Sequence, residues 1–164
     1  MPSIATAALV AAALIGTPPQ DSGFCATLKQ VVAAAPADFA ALNLRPRTPT
    51  GQVWDTDVQL DYLGFSCDVG IIGMQPAPRS YDCVSDEAGD PASAEMRTLV
   101  GLLTPCLGVP MVETRGEREG GSFFAATLPG SDVLISYSLM ISTRRFGPPS
   151  IAYYLSLAIT PRKA

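Results

Sequence analysis

The sequence predicts an α+β fold, a two-layer sandwich in which an antiparallel sheet of about six strands carries two helices on one face. Three observations favour this fold class. Apolar and polar residues alternate in about six segments, which is typical of strands with one solvated face. Two other segments place apolar residues at helical spacing. Finally, the segments follow one another in the order αβββ-αβββ, which resembles a weak internal duplication.

The first half of the chain is expected to begin with a helix. Asp21 and Ser22 can cap it, because a side-chain oxygen there accepts a hydrogen bond from a free N–H of the first turn. The apolar face of this helix extends to Ala35, and Pro36 interrupts it. The prolines of residues 44–51 predict a linker, and the alternation that follows predicts strands at 54–60, 63–71 and 81–85.

The second half is expected to repeat the helix and the strands. Asp90 suits the N-cap and Pro91 the first position of a helix whose apolar stripe runs to Leu107. Pro105 lacks an N–H, so the last turn is expected to kink or end there, before Gly108. A connector that can hold a short strand at 109–114 leads to three further strands, at 123–128, 133–143 and 151–159.

The N-terminus predicts export. Residues 4–15 form an apolar run that a Gly-Thr-Pro-Pro sequence follows. About twelve apolar residues are too few to span a bilayer, which needs roughly 20, but they suit a secretory signal. No lysine or arginine precedes the run, and a buried N-terminal helix is the alternative. We expect residues 1–20 to be a signal peptide and residues 21–164 a single domain, periplasmic or secreted and not spanning the membrane.

The chain contains 4 cysteines, all beyond the predicted signal. An even number in an exported chain predicts two disulfides. Cys67 and Cys83 fall on strands that are expected to be neighbours, whereas Cys25 and Cys106 fall on the two helices. We therefore expect the pairs Cys67–Cys83 and Cys25–Cys106, although spacing alone leaves the other pairings open.

Composition excludes some classes of function. With 15 acidic and 11 basic residues, the net charge of −4 argues against a nucleic-acid binder. The absence of histidine removes the commonest general base and a usual zinc ligand. No catalytic motif, metal site or cofactor is predicted. Helix capping explains the acidic residues between Asp82 and Asp90 more simply than calcium binding, which is the alternative.

Two surfaces are candidates for binding a protein partner. The first is the open face of the sheet, acidic and rich in hydroxyls and suited to a basic partner. Its acidic residues are Asp55, Asp57, Asp61 and Asp68, and its hydroxyl residues are Ser136, Ser138 and Tyr154. The second, and the feature most typical of an interaction site, is the tip between the last two strands, where arginine and an aromatic residue resemble interface hot spots: Arg144, Arg145 and Phe146. Ordinary solvation of a sheet face and a plain hairpin turn are the simpler interpretations.

These features together favour an exported, non-catalytic protein that binds another protein, such as an envelope-side inhibitor or a toxin-immunity protein. A small cell-envelope hydrolase is the alternative, and a structural or chaperone-like accessory of the envelope is a third class. The sequence indicates neither the identity of the partner nor an oligomeric state.

The export signal predicts a shortened mature chain. The apolar run ends at the Pro-Pro sequence, so cleavage is expected to leave a new N-terminus between Gly16 and Phe24. N-terminal sequencing of the protein isolated from the cell envelope tests this. A cytoplasmic product that retains Met1 would contradict the expected compartment.

Overall fold

The computed structural model describes residues 22–49, 51–62, 64–71, 77–86, 92–115, 122–130, 132–143 and 151–162. Two α-helices and one antiparallel sheet form the fold, which is mixed α and β as the sequence predicts. None of the helices in these ranges has the length and apolar character of a membrane span. The predicted signal peptide at 1–20 lies outside the described residues.

The sheet contains eight strands in the described ranges, whereas the sequence predicts about six. The helices are α1 (Ser22–Ala34) and α2 (Ala92–Leu107), and two short 3-10 helices, Ala35–Ala37 and Ala40–Leu42, follow α1. The strands are β1 (Arg45–Pro46), β2 (Val53–Asp55), β3 (Ser66–Ile71), β4 (Arg79–Val84), β5 (Val112–Arg115), β6 (Ser122–Thr127), β7 (Val133–Thr143) and β8 (Ile151–Pro161). The element order is therefore αββββ-αββββ rather than αβββ-αβββ.

Two short segments account for the additional strands. β1 has only two residues and lies inside the predicted linker. Proline is tolerated there because β1 is an edge strand, where a missing N–H removes no ladder hydrogen bond. β5 lies in the connector where the sequence allowed for a short strand at 109–114. The estimate of about six strands was too low because neither segment shows a sustained alternation.

Helix α1 ends close to the proline that the sequence marks. Its inner face buries three apolar residues at helical spacing, Phe24, Leu28 and Val31. Pro36 sits in the 3-10 turn that follows, and the chain then passes through Asp38 and Phe39 with positive φ angles of 56° and 61°. The ring of Phe39 is fully buried, 6.4 Å from the ring of Tyr81, and this packing holds the unusual backbone in place.

The strand order across the sheet is β1-β2-β3-β4-β8-β7-β6-β5. Each half of the chain forms one antiparallel run of four strands, and the pairing of β4 with β8 joins the two runs at the centre. The first strand of each half, β1 or β5, lies at an edge. This mirrored arrangement is the structural counterpart of the repeated element order.

The strand predicted at 54–60 is shorter in the structure, because β2 ends at Asp55. Beyond that residue the backbone pairing of β2 with β3 stops, and the side-chain amide of Gln59 bonds to the backbone of β3 instead. It donates to the carbonyl of Cys67 at 2.9 Å and accepts from the amide N–H of Cys67 at 2.8 Å. The apolar alternation still continues to Leu60, which is fully buried. The pattern therefore predicted burial correctly but not backbone pairing.

One face of the sheet shares a single buried core with both helices. The central strands contribute alternate residues to it: Cys67, Val69, Tyr81, Cys83, Ile135, Tyr137, Leu155, Leu157 and Ile159. Both disulfides belong to this core and have the pairing expected from the sequence. Cys67–Cys83 bridges β3 and β4, and Cys25–Cys106 joins α1 to α2.

Two buried tyrosines on the core face differ in their hydrogen bonding. The Tyr81 hydroxyl donates to the carbonyl of Val58 at 2.9 Å, whereas the Tyr137 hydroxyl has no partner among the described residues. Tyr81→Phe leaves that carbonyl without its donor, so we expect the free energy of unfolding to fall by about 1–2 kcal/mol. Tyr137→Phe removes an unpaired buried polar group, so we expect stability to stay unchanged or to rise.

Urea unfolding of both variants with the disulfides intact measures this difference. The substitutions are chemically identical and both sites are at most 1% exposed, so each variant serves as the control of the other. A loss in Tyr137→Phe as large as that in Tyr81→Phe would show that the Tyr137 hydroxyl is hydrogen-bonded in solution.

Candidate functional site

The face of the sheet opposite the core carries many polar and small side chains and some larger ones, among them Leu134 and Tyr154. Strand register aligns one row across β2, β3, β4, β8, β7 and β6: Asp55, Asp68, Asp82, Ala158, Ser136 and Ala125. The surface around this row is termed the polar face, and its first three members are the aspartate row. Both helices pack with the other face, so no helix in the described part of the chain covers the polar face.

Two arginines at one edge of the sheet neutralise part of this acidity. The Arg47 guanidinium contacts Asp55 at 2.6 Å and Asp68 at 2.9 Å. Arg45, on β1, pairs with Asp57 at 2.5 Å, and both of those side chains are largely exposed. Exposed ion pairs contribute little to stability, but here they cancel charge that the sequence predicted to be available to a partner.

The structure separates three of the aspartates that the sequence grouped. Asp55 lies on β2, whereas Asp57 and Asp61 follow that strand in an irregular segment and are exposed. Asp61 has no ion-pair partner in the described ranges, while Asp55 and Asp57 each have an arginine. The three carboxylates therefore differ in charge environment and do not form one continuous strand face.

Asp82 lies near the centre of the polar face, on β4. The Ser80 hydroxyl donates to its Oδ1 at 3.0 Å, and the same hydroxyl lies 3.0 Å from that of Thr160 on β8. Burial raises the pKa of Asp82 from 3.8 to about 6, and the charge of Asp68 also raises it, while the hydrogen bond from Ser80 lowers it. The aspartate row thus ends in a half-buried carboxyl that holds a proton more tightly than an exposed one.

Apolar side chains also reach solvent on the polar face. Val84 and Val112 are the large hydrophobic residues that the described structure exposes, at 36% and 61%. Val84 follows Asp82 on the same side of β4, and Val112 is paired with Ala125 at the opposite edge. Strand register places Ser156, Ser138, Ser136, Ala158 and Ala125 between them, together with Phe123 on β6. Another protein can approach such a surface closely.

Other predicted features fall partly or wholly outside the described residues. The tip, Arg144, Arg145 and Phe146, lies outside them, between β7 and β8. The acidic segment 82–90 is described only to Asp86, and Asp82 belongs to β4 rather than to a loop. Within the described ranges, no three acidic or cysteine side chains come together as a metal site would require.

Asp82 and Arg47 belong to this surface although the sequence did not predict them there. Asp82 alternates with Tyr81 and Cys83, and this period of two could have placed it opposite the core. Arg47 gave no such signal, because its two partners are 8 and 21 residues further along the chain. Only the pairing of β1, β2 and β3 brings them together.

A groove of about 560 Å³ lies at one end of the sheet, and no member of the aspartate row lines it. Its charged lining residues are Asp38, Asp132 and Arg162. Asp38 accepts a hydrogen bond from the backbone N–H of Arg79 at 3.2 Å, and the Arg79 guanidinium lies 4.1 Å from the ring centre of Trp54. Asp38 therefore ties the 3-10 helix to the sheet, which is a structural role.

The chemistry of the polar face is inferred from its own residues, because the chain matches no protein-family model, no curated protein and no solved structure. Carboxylates and hydroxyls at its centre can accept hydrogen bonds from cationic or neutral donors. The sequence has no histidine to activate one of these hydroxyls as a nucleophile.

Asp82→Asn tests the energetic effect of the half-buried carboxyl. Its pKa is higher in the folded state than in the unfolded chain, so the free energy of unfolding falls as the pH rises from about 4 to about 6. The amide cannot ionise. Above about pH 6 the variant is therefore expected to be more stable than the parent by about 2–3 kcal/mol, and this advantage should vanish below about pH 4.

Urea unfolding at about pH 4 and about pH 7 measures this effect. Asp132→Asn is the control, because Asp132 is exposed and lies away from the aspartate row, and it should change stability little at either pH. An Asp82→Asn variant no more stable than the parent at the higher pH would show that the carboxyl is fully solvated.

Proposed function

We propose that this chain is an exported, non-catalytic protein that binds another protein on its polar face. In this proposal the helices cover one face of the sheet, and the partner binds the other face. An envelope-side inhibitor or a toxin-immunity protein, periplasmic or secreted, is the class of protein that such a surface suits.

The main support for protein binding at the polar face is the position of two exposed apolar side chains. Val84 and Val112, the large hydrophobic residues that the described structure exposes, both belong to the polar face. Strand register places serine and alanine residues and Phe123 between them, and Asp82 supplies a charged acceptor. Protein interfaces combine apolar contact with hydrogen-bonding groups in this way.

The disulfides support an exported location. Cys67, Cys83 and Cys106 are at most 5% exposed, and all four cysteines are paired. Disulfides form and persist in oxidising compartments and are rare in the cytosol. The short apolar run at the N-terminus supports the same compartment.

A small cell-envelope hydrolase is the second candidate, and one observation favours it. Asp68 and Asp82 are direct neighbours across β3 and β4, and the raised pKa of Asp82 suits a general acid. Hydrolases usually enclose their substrate in a cleft, however, and the groove in the described structure lies away from this pair. Binding is therefore the function that we propose first.

Site-specific photocrosslinking in the cell envelope tests the proposal. A photoreactive amino acid is placed at Ser136 or Ala125 on the polar face, and at Lys29 or Gln30 on the exposed side of α1 as matched controls. We expect a discrete crosslinked protein from the first pair of positions and none from the second. Crosslinks from α1 as strong as those from the polar face would contradict the proposal.

The tip predicted from the sequence is tested in the same cells. Arg144→Ala combined with Arg145→Ala is expected to weaken partner capture by about 2 kcal/mol or more, the scale of an interface hot spot. The thermal midpoint should change little, because surface charges of the kind that the sequence predicts for a hairpin tip contribute little stability. A double variant that crosslinks as efficiently as the parent would remove the tip from the binding surface.

A further inference from the structure

Asp82 has one carboxylate oxygen without a partner. Its Oδ1 accepts the hydrogen bond from Ser80, whereas no residue in the described ranges donates to Oδ2, and no arginine or lysine there pairs with it. The Tyr137 hydroxyl is the only fully buried side-chain oxygen or nitrogen left unpaired in those ranges. Asp82 is only half-buried, so a group from solvent can approach its carboxylate.

Arg47 shows that a guanidinium group fits against the aspartate row. Arg47 lies against the first two members of the aspartate row, where its guanidinium bonds Asp55 and Asp68. Asp82 is the next member, directly opposite Asp68 on the neighbouring strand and about 4.8 Å further along the row. It has the same acceptor chemistry but no arginine of its own among the described residues.

There is room beside Asp82 for a long side chain. Ala158, Ser136 and Ala125 continue the row on β8, β7 and β6, and all three are half-buried. Side chains this small leave a shallow strip of about 14 Å across three strand spacings. The methylene stem of an arginine or lysine can lie along such a strip while its charged head reaches the carboxylate.

We propose that the partner of the polar face is a protein segment that lays an arginine or lysine side chain along this strip and pairs its charged head with Asp82. This inference rests on the proposed function, and it names the partner chemistry that the same surface recognises. Charge complementarity selects this occupant, because an acidic or purely apolar segment would cover a carboxylate without compensating its charge.

Binding of this kind depends on pH. Burial raises the pKa of Asp82 to about 6, and a cation at Oδ2 favours the ionised form, so a bound partner lowers that pKa. The group that faces Asp82 from β3 is Asp68, which pairs with Arg47, and β8 presents only the uncharged side chains of Ser156, Ala158 and Thr160. Affinity should therefore fall as the pH drops through about 6.

A pair of short peptides tests the inference on the mature, disulfide-bonded protein. One peptide has a single arginine flanked by alanines, with both termini blocked, and the other has citrulline, which keeps the shape and removes the charge. NMR follows both the binding of each peptide and the titration of the Asp82 carboxyl carbon. We expect about tenfold tighter binding of the arginine peptide at about pH 7, loss of this advantage at about pH 5, and a lower pKa of Asp82 in the complex.

Two variants complete the test. Asp82→Asn should abolish the preference for arginine over citrulline, whereas Asp132→Asn should retain it. Arginine-peptide binding that survives Asp82→Asn, or that leaves the pKa of Asp82 unchanged, would overturn this inference. So would equal binding, or no binding, of the two peptides. Crosslinking from Ser136 and Ala125 in the cell envelope would in each of these cases still support the polar face as a binding surface.

Discussion

The antiparallel pairing of β4 with β8 is the interaction on which the rest of the structure depends. It joins the two runs of four strands, so that both αββββ halves share one sheet. On one face it sets Tyr81 beside Ile159, both fully buried, and on the other face it sets Asp82 beside Ala158. Because side chains alternate along a strand, a change of register by one residue would exchange the core and the polar face together.

The disulfides reinforce this arrangement in both layers. Cys67–Cys83 joins neighbouring strands of one half and spans 16 residues, whereas Cys25–Cys106 links the helices of the two halves and spans 81. Closing a longer loop removes more entropy from the unfolded chain, so the helix bridge is expected to contribute more within a typical range of about 2–4 kcal/mol. Two disulfides in this core are consistent with an oxidising compartment.

The charge of Asp82 lowers the stability of the free protein but favours the binding of a cationic partner. A half-buried carboxylate without a cation destabilises the folded state, because burial disfavours the charged form. Arg47 offsets this effect at Asp55 and Asp68, whereas Asp82 retains it in the free protein. In the proposed complex a cation of the partner pairs with this carboxylate. The unpaired charge that destabilises the free protein therefore favours a cationic partner over a neutral or acidic one.

The sequence by itself determined which residues are buried, because the periods of strands and helices are local. Alternation placed Cys67 and Cys83 on neighbouring strands, and helical spacing placed Cys25 and Cys106 on helices, which favoured the observed disulfides without excluding the other pairings. Only the tertiary structure decided where β2 gives way to the Gln59 side chain and which aspartates Arg47 neutralises. Hydrogen-bond register and ion pairing are set between segments that are distant along the chain, and no local pattern records them.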